Sequence, residues 1–416
     1  MRVQSALSVL DSFFVVKSKK GGKVLNSIFK HTENNGEVII TGLQEGLATT
    51  SIVIPETIDG MPVIEIGPKA FQSTSITNIK IGENIKGIGE KAFYMCKKLK
   101  SVTWNHKCDV VPAFCFSECS NLTKFDFSNV KKIGLYAFYK SGLQEVCLQK
   151  NIKVLEEGTF SGCSKLQSVT WHCQCDMIPT FCFDKCSNLT QFDFSGIKKI
   201  GQYVFYKSGL QEVYLTEKIE ILDKGTFSGC SKLQSVTWHC QCDVIPADCF
   251  FGCSNLMQFD FLGVKKVRER AFSKSGLKEV CLPENIEVVS GWAFFECKKL
   301  SSVIWNCKCN VIPVDCFARC SDLTQFDFSN IKRIEVRAFR DSGLTSVTLS
   351  KGTAFGQSCF AQCNGLKKIE WLSGQNIEGK IFEGCKNIKE IFISDKVKNI
   401  EVSAFAFSPN AEITFV

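Results

Sequence analysis

The chain has 416 residues, 44% of them hydrophobic and 22% charged, with a net charge of +8. That balance is apolar enough to bury a sizeable core, which excludes a disordered polyelectrolyte. No run in it reaches the ~18 apolar residues of a membrane-spanning helix.

The first residues, MRVQSALSVLDSFFVVKSKK, contain an apolar stretch, but Asp11 splits it and no small-residue cleavage site follows. The segment therefore does not read as a signal peptide. Glu37 to Thr41 and Ser51 to Ile54 read as short strands ahead of any repeat, where a solenoid needs a cap. Residues 1–50 are taken as flank and cap. Residues 51–416 are taken as one continuous repeat domain, because no Pro-, Gly- or Ser-rich linker interrupts the register.

One phenylalanine then returns every 21 to 23 residues, at Phe71, Phe93, Phe116, Phe138, Phe160, Phe183, Phe205, Phe227, Phe250, Phe272, Phe294, Phe317, Phe339, Phe360, Phe382 and Phe405. A unit of that length cannot bury its own apolar face, so the units must stack and share one elongated core. After each Phe come Cys or Ser at plus three, an aliphatic residue, and an apolar-x-apolar triplet such as Val102-Thr103-Trp104, Phe125-Asp126-Phe127 or Val146-Cys147-Leu148. Period-two alternation makes each triplet a strand, its outer residues buried and its middle one on an open face. An extended return and a short helical turn carrying the Phe complete each rung, and the triplets should form a single parallel sheet.

A longer period of 67 residues lies over the first, and it sorts the rungs into three classes. Trp104, Trp171, Trp238 and Trp305 mark one, the Phe-Asp-Phe triplets starting at 125, 192, 259 and 326 the next, and Ser-Gly-Leu starting at 141, 208, 275 and 342 the third. Ser161 to Asp176 recurs letter for letter at Ser228 to Asp243.

Of the 24 cysteines, Cys173, Cys175, Cys182 and Cys186 form a C-x-C-x6-C-x3-C set that recurs in the next two blocks, with His106 in the first place of the earliest copy. Four soft ligands suit zinc. Against that, Cys175 stands in the slot of Ile152, Cys182 in that of Ala137, and Cys186 in the plus-three slot, all core positions where free Cys packs as a small hydrophobe. A disulfide between stacked Cys96 and Cys119 is within reach, but every third rung has Ser in that column. The expectation is buried free thiols without metal or cofactor. Free thiols and the missing signal peptide point to the cytoplasm.

Catalysis finds little support. Of the four histidines, His106, His172 and His239 fall one per block and cannot converge, and His172 and Cys173 are strand neighbours facing opposite ways. No phosphate loop or metal-binding His-Glu motif is present, so no enzyme is expected. The pairs Lys131-Lys132, Lys198-Lys199, Lys265-Lys266 and Lys332-Arg333 form a column that a polyanion would suit. The Asp residues interleaved on the open face speak against a uniformly basic groove. The candidate binding residues for a protein ligand are Lys124, Asp126, Thr170, His172, Asp193, Tyr214, His239, Asp260 and Asp327. The strand Ile413 to Val416 offers an edge for self-association.

The phrase I-x-x-[IL]-G-x-x-A-F-x-x-C-x-x-L-x-x-[VI]-x-[LIW], as in Ile85 to Trp104, resembles the BspA-like class of leucine-rich repeat, and Glu37 to Phe71 resembles the segment that leads into its first repeat. The resemblance implies an α/β, β-rich, curved right-handed leucine-rich-repeat solenoid, with one parallel β-sheet on the concave face and short helical turns on the convex side. It also implies adhesin-like or surface-antigen-like binding of a host or matrix protein, at the cell surface. Trp and Phe strand positions depart from the family's usual Ile or Leu.

Overall fold

The computed structural model describes residues 28–45, 50–104 and 107–416; the N-terminal apolar stretch and His106 lie outside them. The described chain is a β-rich solenoid of stacked parallel strands with almost no helix. It forms two compact units, one reaching to Cys175 and including Phe181–Leu189, the other made of Asp176–Thr180 and Thr190–Val416.

In the first unit, an antiparallel hairpin of Phe29–Asn34 with Glu37–Leu43 opens the structure, and Glu37–Leu43 runs parallel to Met61–Ile66. Ser51–Val53 pairs in parallel with Asn78–Lys80, so both strands expected ahead of the repeats are present. Phe29 meets Phe71 edge-on at 6.5 Å and closes the end of the ring column. Phe71, Phe93, Phe116, Phe138, Phe160 and Phe183 then stack face to face, with centroids 5.2 to 5.7 Å apart. In the second unit the column runs from Phe205 to Phe405 at 5.2 to 5.8 Å. Every ring of the sixteen is buried except Phe405, which is half-buried. The repeat spacing thus places the largest apolar side chain where each rung can cover the next.

Apart from the 3-10 turn Val402–Phe405, which carries the last ring, the Phe segments differ from the helical turn expected of them. They are tandem tight turns. In the rung of Phe71, the Thr74 N–H donates to the Phe71 carbonyl at 3.2 Å, while the N–H groups of Phe71 and Ser73 donate across to Ala92 and Tyr94 of the next rung. Donors that alternate between the local turn and the neighbouring rung rule out a continuous i to i−4 ladder. The geometry also requires left-handed backbone two residues either side of the Phe, as at Lys69 and Ser73 or at Gly225 and Gly229. Only glycine takes that conformation without cost, about 1–2 kcal/mol for other residues. Ser73→Gly is therefore expected to raise stability by about 0.5–1 kcal/mol after the added chain entropy is subtracted, read as a higher urea midpoint. Gln72→Gly beside it should lower the midpoint.

Two sets of parallel strands line each unit, and neither is continuous. On the open face, Glu145–Leu148 pairs with Ser168–Trp171 and Glu212–Leu215 with Ser235–Trp238, each pair standing as a two-stranded sheet. The Phe-Asp-Phe triplets join no ladder, which corrects the single sheet expected from the alternation. The cause is the aspartate. The Oδ1 atoms of Asp126, Asp193, Asp260 and Asp327 each accept the backbone N–H two residues on, at 2.9 Å, and this local turn takes a donor that a ladder would need. One cross-rung bond remains at the start of each such segment, for example from the Gln144 N–H to the Thr123 carbonyl.

Candidate functional site

The open strand face is held by cross-rung hydrogen bonds, and it presents every candidate residue to solvent. Lys124, Asp126, Thr170 and His172 lie in the first unit; Asp193, Tyr214, His239, Asp260 and Asp327 lie in the second. The strand register sets Tyr214 opposite Thr237, and the His239 N–H donates to the Leu215 carbonyl at 3.0 Å. Their side chains meet as a result. Tyr214 Oη and His239 Nδ1 are 3.2 Å apart, and the rings cross nearly at right angles with centroids at 5.5 Å. Tyr214 remains 56% exposed, a rigid aromatic body with a polar tip on an ordered strand. The corresponding slot in the first unit holds Cys147, opposite Thr170, where the Gln149 amide donates to the thiol at 3.0 Å.

The aspartates have a double character. Their turns fix each carboxylate in one orientation on the open face, and the Ser329 N–H and hydroxyl hold the Asp327 carboxyl below its usual range. Where the ladder lapses at Asp327, a groove of about 480 Å³ opens, lined by Ser302, Gln325, Asp327, Ser329, Ser346 and Thr348. Its polar walls and ionised floor suit hydrogen-bond donors.

The lysine column is less available than the sequence suggests. Lys131 pairs with Asp109 at 3.0 Å and Lys265 with Asp243 at 3.2 Å, while Lys132 pairs with Glu156 at 2.7 Å. Carboxylates from adjoining rungs thus pair with Lys131, Lys132 and Lys265 of the positive stripe.

None of the 24 cysteines forms a disulfide. The plus-three thiols are buried and also act as donors: Cys96 to the Phe71 carbonyl at 2.9 Å, Cys230 to that of Phe205 at 3.0 Å, Cys363 to that of Phe339 at 3.1 Å. The Ser of the third rung class continues this column, with Ser208 Oγ 3.3 Å from Cys230 Sγ. Alternation of Ser with Cys is thereby explained, since both can donate in a narrow slot. Burial pushes Cys163 and Cys230 up to about 12, which keeps them protonated and inert at neutral pH.

Cys175, Cys242 and Cys309 depart from the core placement expected of them and are half-buried, like their C-x-C partners Cys173, Cys240 and Cys307. Each follows a Trp in a slot where the sister strands have Leu. The indole N–H must find an acceptor when it is covered, and it reaches the carbonyl four residues on, Cys175 and Cys242 at 3.0 Å and Cys309 at 2.6 Å. Among the described residues no three His, Cys, Asp or Glu side chains are placed to hold a metal ion together.

Sequence reasoning missed the contact between Tyr214 and His239, and also the mid-strand neighbours Thr237, Cys281 and Ile304. Their signal was present, since each is the middle residue of a triplet.

The model for the BspA type leucine-rich repeat region matches residues 44–167, 122–234, 156–275, 243–367 and 353–416. A leucine-rich repeat protein from Bacteroides ovatus, solved by crystallography, is 20% identical, with 93% of this chain and 98% of that one covered and a TM-score of 0.62. A T. pallidum leucine-rich repeat protein is 26% identical over 44% of this chain and 87% of its own, TM-score 0.40. The pneumococcal vaccine antigen PcpA is 16% identical over 93% and 91%, TM-score 0.36. No curated protein matches.

Proposed function

The chain belongs to the BspA-type leucine-rich repeat family, and from that premise we propose that it is a non-enzymatic binding protein that recognises a protein ligand, host or matrix protein included, through the open strand face. The observation that carries this reading is the exposed Tyr214 ring, braced by His239 on a laddered strand and accompanied in its unit by the oriented carboxylates of Asp193 and Asp260. Aromatic anchors on a rigid support lose little entropy on binding and dominate interface energetics. Fixed charges around them add specificity. The ion pairs of Lys131, Lys132 and Lys265 with neighbouring carboxylates support the same choice over a polyanion, whose grip would also fade as salt rises.

The test begins with capture from a mixture of extracellular matrix proteins on the immobilised full chain. At physiological salt, Tyr214→Ala with Asp193→Ala should abolish binding of the captured protein. Lys198→Ala with Lys199→Ala should mainly slow association. Affinity lost on removing the lysines and kept by the strand-face pair would move the assignment to polyanion binding.

A further inference from the structure

We propose that the hollow on the turn side of the first unit, walled by Phe114, Tyr136, Tyr139 and Phe181 beside the Asp184 carboxylate, binds a small alkylguanidinium. Its origin lies in the slot that follows each Phe of the ring column. That slot holds the bulky Tyr139 after Phe138, then Ser161 after Phe160 and Asp184 after Phe183, and the drop in size goes with a space of about 380 Å³. Such a volume suits a free small molecule. The site is separate from the open strand face and does not rest on the recognition proposed there.

Asp184 is 4% exposed and lines the hollow. Its Oδ2 takes the Lys185 ammonium at 3.2 Å, but its Oδ1 is buried without a hydrogen-bond partner, the only carboxylate oxygen so left among the described residues. A buried acceptor in that state is costly. The chain shows elsewhere what satisfies such a group. Its two other buried aspartates are each gripped by a guanidinium: Arg270 Nε lies 2.9 Å from Asp248 Oδ1 and its Nη2 3.1 Å from Oδ2, and Arg337 Nη2 lies 2.8 Å from Asp315 Oδ2. The described part of the first unit contains no arginine, so at Asp184 that role falls to a ligand. The walls suit a flat cation. Phe114 and Tyr136 stack at 5.7 Å, Tyr139 meets Tyr136 edge-on at 5.6 Å, and Gly158, at a left-handed φ of 60°, has no side chain where the Tyr136 ring passes. Aromatic faces attract a guanidinium. Burial and then the charge of Asp184 hold the Tyr136 hydroxyl above its usual range, which keeps the phenol neutral at neutral pH. Lys185 is more than half exposed, and an ion pair of that kind is weak, so its ammonium gives way to the incoming cation.

Butylguanidinium, titrated into the full chain and followed by saturation-transfer NMR, should bind saturably. Asp184→Asn should weaken that binding about tenfold, because a charge-assisted contact to the carboxylate is lost. Tyr136→Leu should weaken it about threefold through the lost aromatic face. Lys185→Met removes the competing ammonium and should tighten binding about twofold. This last variant alters an exposed side chain, so it carries the test should either of the others fail to fold by its melting curve. Tetramethylammonium, a cation without N–H donors, should bind about tenfold more weakly than butylguanidinium, since it leaves Oδ1 unpaired. No saturable binding of butylguanidinium to the wild type would overturn the proposal. So would undiminished binding by folded Asp184→Asn, weaker binding by Lys185→Met, or equal affinity for tetramethylammonium.

Discussion

Phe205→Ala should destabilise the second unit by about 3–5 kcal/mol, the range for truncating a core phenylalanine. The ring is fully buried, and it touches Phe192 at 5.2 Å, Phe194 at 5.6 Å and Phe227 at 5.8 Å between centroids. Its removal leaves a cavity that backbone pinned by cross-rung hydrogen bonds cannot close. The N–H of Phe205 donates to Thr226 and that of Lys207 to Ser228, at 2.9 and 2.8 Å, so the turn is anchored on both sides of the void. Urea unfolding followed by far-ultraviolet circular dichroism measures the loss. Tyr214→Ala should change the midpoint by no more than about 0.5 kcal/mol, as for an exposed side chain, and the contrast separates core from binding face.

Gly276→Ala is the second large effect. The Ser-Gly-Leu rung is one residue shorter than its sisters, so the chain must pass closer to the rung before it. A Cβ at Gly276 would run into the Ser254 carbonyl oxygen and come within 3.3 Å of that of Leu256; one at Gly142 would meet the Ser120 carbonyl in the same way. These are backbone atoms and cannot swing aside like the end of a side chain. The existing bond from the Gly276 N–H to the Cys253 carbonyl, at 3.1 Å, would be strained or lost. The cost should be about 3 kcal/mol, at the upper end of overpacking. Gly263→Ala makes a useful comparison: no atom stands within 4 Å of its added methyl, and its penalty comes from a left-handed φ of 82° alone.

The Phe column was legible because a bulky ring at fixed spacing in units too small to fold alone leaves one arrangement open to it. The strands at Glu145–Leu148 and Glu212–Leu215 followed from period-two alternation for a similar reason. Phe-Asp-Phe has that same alternation and still forms no ladder, since polarity patterns do not record that an Asp oxygen can take the N–H two residues on. The C-x-C loops were misplaced because aligning Cys175 with Ile152 ignored the Trp171 indole, which needs an acceptor and draws the loop's carbonyl to it. Of the candidate site, the exposure of each residue could be read from its place in the triplet. The meeting of Tyr214 with His239, 25 residues on, depended on strand register and on a residue just past the strand end, and neither is written in the periodicity.

Hydroxyl-radical footprinting of the full chain, free and bound to its captured protein partner, tests the assignment of function most directly, because tyrosine and histidine side chains report their own solvent exposure. Tyr214 and His239 should lose most of their reactivity in the complex, while Tyr139 and Tyr206 on the Phe-turn segments keep theirs. Unchanged labelling of Tyr214 and His239, with protection confined to the turn-segment tyrosines, would contradict recognition through the open strand face.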